Sequence, residues 1–153
     1  ATLHVDHEEE IEVRGALAHR LASRPGRRWL HICGTRQVAG DPVPICWTEA
    51  YVDGRYAKLF RGTKVYQSAI FSTIERHTGE LVTEVQQEIN ATILNRELAR
   101  RLHAAEGSPA LVIVRRYFGA GRRLFEMSIN IHPSDRFSYA ISLKRDFPDG
   151  NES

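Results

Sequence analysis

Pro109-Ala-Leu-Val-Ile-Val-Arg-Arg-Tyr-Phe118, Gly119-Ala-Gly-Arg122 and Arg123-Leu-Phe-Glu-Met-Ser-Ile-Asn-Ile-His132 follow one another in the C-terminal third of the chain. Two runs rich in β-branched and aromatic residues flank a glycine turn, so the stretch predicts a β-hairpin with strands over 109–118 and 123–132. In the second strand Phe125, Met127, Ile129 and Ile131 alternate with Glu126, Ser128, Asn130 and His132. That alternation has two readings: a strand with one solvated side, or a wall of polar groups around a ligand. On the first strand Arg115 alternates with Leu111, Ile113 and Tyr117. A guanidinium drawn onto such a face needs a partner, and Glu126 across the hairpin is a candidate.

Working outward, His132-Pro-Ser-Asp135 predicts a break followed by a last strand over 136–145. Upstream, Asn95 is a good N-cap for a helix reaching Glu106, with Leu98, Leu102 and Ala105 inward and Gly107 beyond its end. A long strand is expected over 80–93, and a helix over 67–78 that stops at Gly79. A short helix fits 55–60. Runs over 29–37 and 43–52, joined through Ala39-Gly-Asp-Pro42, predict a second hairpin. Cys33 and Cys46 stand nearly symmetrically about its turn and are expected near each other. Val13, Leu17 and Leu21 fall on one helical stripe, which predicts a helix over 8–22 after an extended lead-in of seven residues. Hairpins with separate helices make an α+β fold with a mainly antiparallel sheet and flanking helices.

The chain's 153 residues make about one domain, and 42% hydrophobic with 26% charged residues is ordinary for a soluble globular protein. A net charge of +2 argues no nucleic-acid surface by itself, and the arginine pairs 27–28, 100–101, 115–116 and 122–123 fit solvated faces. Of the 21 basic residues 18 are arginine, so recognition of a carboxylate or phosphate would fall to guanidinium forks. No apolar run is long enough for a membrane-spanning helix and no export signal opens the chain, so a cytoplasmic location is expected. Two cysteines make no disulfide framework, and free thiols are expected. The chain does not start with Met, which suits a piece of a longer protein. Phosphate-cradling glycine motifs, Cys-x-x-Cys, His-Glu-x-x-His and the Gly-x-Ser-x-Gly elbow are absent. His4 and His7 lack further ligands, so no metal or cofactor is expected.

The segment 107–139 resembles the C-terminal half of a UTRA domain, the effector-binding domain of the HutC subfamily of GntR-type bacterial transcription regulators. The resemblance rests on an apolar strand ending Arg115-Arg-Tyr117, a glycine turn, Glu126-Met-Ser128, and Asp135-Arg-Phe137. Arg36 with Pro44-Ile45 and Glu49-Ala-Tyr51 is similar to the family's first hairpin, and Ile70-Phe71 through Gly79 to its short helix. Glu88-Ile-Asn-Ala91 followed by Glu97-Leu-Ala-Arg-Arg-Leu102 resembles the strand and helix before the last hairpin.

The resemblance implies a chorismate-lyase-like fold, a homodimer, and no catalytic residues. It implies a winged helix-turn-helix DNA-binding domain before residue 1, with 1–24 a linker, 25–147 the effector domain and 148–153 a frayed tail. It also implies a pocket for a small anionic metabolite, a carboxylate or a sugar phosphate. Arg36 would hold the anion, and Glu126 and His132 would face the ligand. Glu49, Ser68, Arg115 and Ser128 complete the expected ligand-binding set. The family often has serine at the start of the short helix; here Ala69 stands there with Ser68 beside it. An enzyme of the same fold acting on a small carboxylate such as chorismate, and a dimerisation module without ligand, are the alternatives.

Overall fold

A computed structural model describes residues 1–147. Seven strands form one antiparallel sheet: β1 (Thr2–Glu12), β2 (Arg28–Gln37), β3 (Cys46–Asp53), β4 (Val65–Tyr66), β5 (Glu84–Ile93), β6 (Pro109–Phe118) and β7 (Leu124–Pro133). Their order across the sheet is β4-β1-β2-β3-β7-β6-β5. Three short helices flank it: α1 (Gly15–Arg20), α2 (Ile70–Thr78) and α3 (Arg96–Leu102). The α+β class with a mainly antiparallel sheet and flanking helices is therefore observed.

Strand alternation sorts the core into two layers. One face carries Leu30, Ile32, Ala50, Val52 and Phe125 against Tyr56, Phe60 and α2's Ile70 and Ile74. On the other, Trp29, Val114, Phe118 and Met127 pack with Val13, Ala18 and Leu21 around α1. Farther along it Cys33, Trp47 and Ala110 pack on Ala99 and Leu102 of α3.

Both predicted hairpins form. The 109–118 strand has those bounds, and the helix expected over 67–78 starts three residues late, at Ile70. The helix expected over 8–22 does not form as such. Residues 2–12 are β1, paired along β2 from Thr2↔Gln37 to Glu12↔Arg28, and only Gly15–Arg20 is helical. Val13 and Leu21 are buried, but both lie outside the helix and Leu17 is only partly buried, so they do not form the expected helical stripe. The three glutamates Glu8, Glu9 and Glu10 belong instead to a strand whose far side pairs with β4 at Leu3 and His4, with Val5 N–H donating to the Lys64 carbonyl. Charge on such a nearly open edge is a common protection against aggregation. Here Glu10 also pairs with Arg61 at 2.9 Å, and Glu8 accepts from the Gly62 backbone N–H. β1 approaches β2 so closely at a bulge that any Cβ on Gly34 would collide with the His4 carbonyl.

Three further expectations are corrected. The strand expected over 136–145 is absent; a single 3-10 turn (Ser134–Arg136) follows β7, and 137–147 has no regular element. The helix after Asn95 ends at Leu102 rather than Glu106, with His103 left-handed at φ 53°. Arg136 explains that stop: it donates to the carbonyls of Leu102 and His103, satisfying the helix's last acceptors, and to the Pro44 carbonyl at 2.9 Å. Finally, Cys33 and Cys46 do not face each other. Cys33 is opposite Glu49 and Cys46 opposite Arg36, so the two thiols project from opposite sheet faces. The expected tail over 148–153 lies outside the described residues.

Candidate functional site

The α2 face of the sheet is not filled throughout. Toward the β6–β7 end a cavity of about 350 Å³ remains, floored by β2, β3, β6 and β7 and covered by the start of α2 and by Phe137. Its floor is set by parity. The register pairs Thr48 with Asn130 and Ala50 with Ser128, and then Asn130 with Ile113, Ser128 with Arg115 and Glu126 with Tyr117. All of these point one way with Arg36, whose partner is Cys46. A bulge at Phe125, between the Tyr117↔Glu126 and Phe118↔Leu124 pairs, breaks the strict alternation of β7. Phe125 therefore enters the same core layer as Tyr117 instead of siding with Met127.

Arg36 is held from behind. Its Nε donates to Thr48 Oγ1 at 3.0 Å, and Thr48 in turn donates to Asn130 Oδ1 at 2.6 Å. Among the described residues the guanidinium's two terminal nitrogens have no hydrogen-bond partner, which leaves its fork available to a ligand. Arg115 is oriented by Gln87, which accepts from its Nε at 2.8 Å. The expected Arg115–Glu126 pair does not form, because Arg115 lies opposite Ser128 and turns toward β5.

Glu126 is almost fully buried, and its Oε1 has no hydrogen-bond partner. Burial pushes its carboxyl up to about 8, with Arg36 pulling the other way. At neutral pH it is mostly a protonated acid, able to donate. His132 stacks on Phe137 with centroids 4.3 Å apart, and its Nδ1 is likewise buried without a partner. Burial lowers its pKa, and the cations Arg115 and Arg36 lower it further, so the ring is held neutral. Three buried side-chain polar atoms are unpartnered among the described residues, and two of them line this cavity. Such atoms cost free energy unless something fills them. The balance of charge is two guanidinium groups against a neutral acid and a neutral imidazole, so the lining is net positive.

Five of the seven expected ligand-binding residues, Arg36, Arg115, Glu126, Ser128 and His132, meet at the cavity. Glu49 does not: it is directly opposite Cys33 and projects from the other face. Ser68 lines a neighbouring cavity of about 280 Å³ with Tyr66, Thr73 and Arg76. Sequence reasoning puts Asn130 on the polar face that could wall a ligand but leaves it out of the ligand-binding set, and misses Thr48 and Phe71. Thr48 is two residues from Cys46 on the Arg36 side, a relation legible only once the register is known. Phe71 stacks on Tyr117 at 5.1 Å and closes the cavity from α2.

No helix among the described residues is long and apolar enough to cross a membrane. The UTRA domain family model matches residues 2–138. No curated protein matches the chain. Among solved structures, the effector domain of PhnF from Mycobacterium smegmatis is similar at a TM-score of 0.82 and 15% identity, over 95% of this chain and 88% of that one. A second structure, of PhnF from Mycobacterium smegmatis, gives 0.81 at 15% identity, with 95% of this chain and 64% of that chain covered. A GntR-family transcriptional regulator from Enterococcus faecalis gives 0.81 at 16% identity, covering 94% of this chain and all of that one.

Proposed function

This chain belongs to the UTRA domain family, and on that premise we propose that it is the ligand-sensing, dimerising module of a GntR-type regulator of the HutC subfamily. Its ligand is a small anionic metabolite, a carboxylate or a sugar phosphate. The observation that carries this reading is the uncompensated charge of the cavity: Arg36 and Arg115 face a neutral Glu126 and a neutral His132. Arg36 offers its terminal nitrogens to the anion, and Glu126 and His132 take the ligand's polar edge. A volume of about 350 Å³ suits a small metabolite.

DNA contact belongs to a winged helix-turn-helix outside this chain; the chain spans 64% of the longer PhnF structure. An effector changes operator binding only insofar as it binds two arrangements of the dimer unequally. The homodimer has a natural seam in β5, the outermost strand, whose Val85, Ile89 and Ile93 are exposed. The regulator works in the cytoplasm, where its DNA is.

A thermal-shift screen against sugar phosphates, small carboxylates, amino acids and chorismate tests the proposal. One compound class should raise the midpoint with dose. Arg36→Ala should weaken that ligand by roughly 30-fold or more, the ~2 kcal/mol of a charge pair lost in a desolvated site. An unchanged affinity removes Arg36 from the assignment. A second reading is favoured by one feature: a buried carboxyl raised to about 8 beside an arginine is also how an enzyme poises an acid. Release of 4-hydroxybenzoate from chorismate at enzymatic rates would establish a lyase instead.

A further inference from the structure

On the sheet face away from the cavity, His31, Cys33 and Glu49 converge. His31 and Cys33 are two residues apart on β2 and so share a face, and Glu49 lies directly opposite Cys33 on β3. His31 Nε2 is 3.0 Å from Glu49 Oε1, Cys33 Sγ is 3.2 Å from the same Nε2, and Sγ is 3.9 Å from Oε1. Three donor atoms of three kinds thus form a small triangle, all within 4.8 Å of one another.

In the metal-free chain Glu49 Oε1 can accept from both partners, His31 Nε2–H at 3.0 Å and the Cys33 thiol at 3.9 Å. Sulfur and carboxylate both approach one nitrogen, Nε2. If Nε2 accepts from the thiol, its lone pair faces a carboxylate oxygen. A nucleophilic cysteine relay would use the two ring nitrogens separately, one toward sulfur and one toward the acid. That geometry is not present here.

The same three atoms are also spaced to chelate one ion. Zinc bonds of about 2.3 Å to sulfur and about 2.0–2.1 Å to nitrogen and oxygen give tetrahedral edges of roughly 3.3–3.6 Å. The observed edges of 3.0, 3.2 and 3.9 Å surround that range. The imidazole plane is fixed by stacking on Tyr51, with centroids 4.4 Å apart and planes 5° from parallel. Cys33 sits in an apolar floor with Trp47, Leu94 and Leu102, while the His31 and Glu49 side chains are 19% and 30% exposed. The apex opposite the floor is therefore open to a fourth ligand from solvent. A thiolate and a carboxylate neutralise a divalent cation, so an occupied site adds no net charge to a half-buried face; the thiol's proton is released to solvent as the S–metal bond forms.

We propose that His31, Cys33 and Glu49 bind one zinc-class divalent ion on the β2–β3 hairpin, with a solvent molecule as fourth ligand. The mixed nitrogen, sulfur and oxygen set selects a borderline ion over magnesium or calcium. This site is separate from the anion cavity and does not depend on what that cavity binds.

The test uses the reduced, untagged chain titrated with Co²⁺. The expected result is a thiolate-to-cobalt charge-transfer band with the visible bands of a four-coordinate ion, saturating at one ion per chain and bleached by Zn²⁺. Cys33→Ser should abolish the charge-transfer band, and Cys46→Ser, which alters the thiol on the opposite face, should keep it. His31→Gln and Glu49→Gln should each weaken binding roughly tenfold or more. Melting curves of the metal-free variants establish that each one folds. Absence of a thiolate band in the unaltered chain overturns the proposal whatever the variants do. So does a band that survives Cys33→Ser.

Discussion

Replacing Glu126 by glutamine should make the protein more stable, and by an amount that depends on pH. The carboxyl's ordinary pKa of 4.5 rises to about 8 in the fold because burial penalises its charged form. Below pH 4.5 it is neutral in both folded and unfolded chains and carries no penalty. Between 4.5 and about 8 the unfolded chain loses the proton while the folded chain keeps it. Stability therefore falls as pH rises through that window, by ~1.4 kcal/mol per unit. At pH 7 the accumulated cost is ~3 kcal/mol, and above pH 8 the slope vanishes. A glutamine side chain has the same shape and no proton to lose. Glu126→Gln should thus melt roughly 6–12 °C higher than the unaltered protein at pH 7, and at nearly the same temperature at pH 4. Thermal unfolding by circular dichroism across pH 4–9 measures both curves. A difference that does not change with pH, or a variant that is less stable at pH 7, would refute the raised pKa and the protonated donor drawn from it. The same pair of proteins separates stability from function, because a site that stores such a cost generally holds it for a ligand.

Other expectations follow from particular contacts. Asp53 is buried, takes two bonds from Arg27 Nη2 at 2.8 and 2.9 Å, and accepts from the Arg55 backbone N–H at 3.0 Å. Asp53→Ala should cost ~3 kcal/mol, read as a lower denaturant midpoint with unchanged slope. Ala69 is the N-cap of α2 and lacks a capping side chain. Ala69→Ser should add ~1 kcal/mol and, because residue 69 lines the cavity, should enlarge the thermal shift caused by inorganic phosphate. Ile89→Lys puts a charge in the middle of the exposed β5 edge. Light scattering should find the unaltered chain as a dimer and this variant as a monomer, and a monomeric unaltered chain would refute the proposed seam.

The elements best legible in the sequence are those whose signals are local. Alternation over 123–132, the Gly119–Gly121 turn and the Asn95 cap each act within a few residues, and each has its structural counterpart: β7, the β6–β7 turn, and an Asn95 side chain accepting from Leu98 N–H at 2.9 Å. Where a distant partner decides, local reading fails. Glu8, Glu9 and Glu10 suit a helix start in isolation, but pairing with Ile32, His31 and Leu30 makes them a strand. Alternating residues over 136–145 suit a strand, but no neighbour pairs with them, since β5 and not the tail lies beside β6. The helix after Asn95 is shorter than its own residues suggest because the side chain that caps its carbonyls, Arg136, is 33 positions downstream of His103.

The same distinction governs the candidate site. Glu126, Ser128 and His132 could be grouped from one strand, because alternation alone puts them on one face. Grouping Arg36 with Thr48 and separating it from Glu49 requires the register of the first hairpin, and that register is carried by the loop from Val38 to Ile45. With proline at 42 and 44, this loop belongs to none of the two-residue turns whose type dictates pairing. A shift of one residue would have exchanged the faces, bringing Glu49 to the cavity and Thr48 to the side of His31. The observed register, closed by Ile45 N–H donating to the Arg36 carbonyl at 2.8 Å, has two consequences at once. It leaves the cavity with cations and no ionised acid, and it assembles His31, Cys33 and Glu49 on the opposite side. The proposed anion cavity and the candidate metal site are thus two faces of one pairing choice. An insertion of a single residue into 38–45 that shifted the register would disable both.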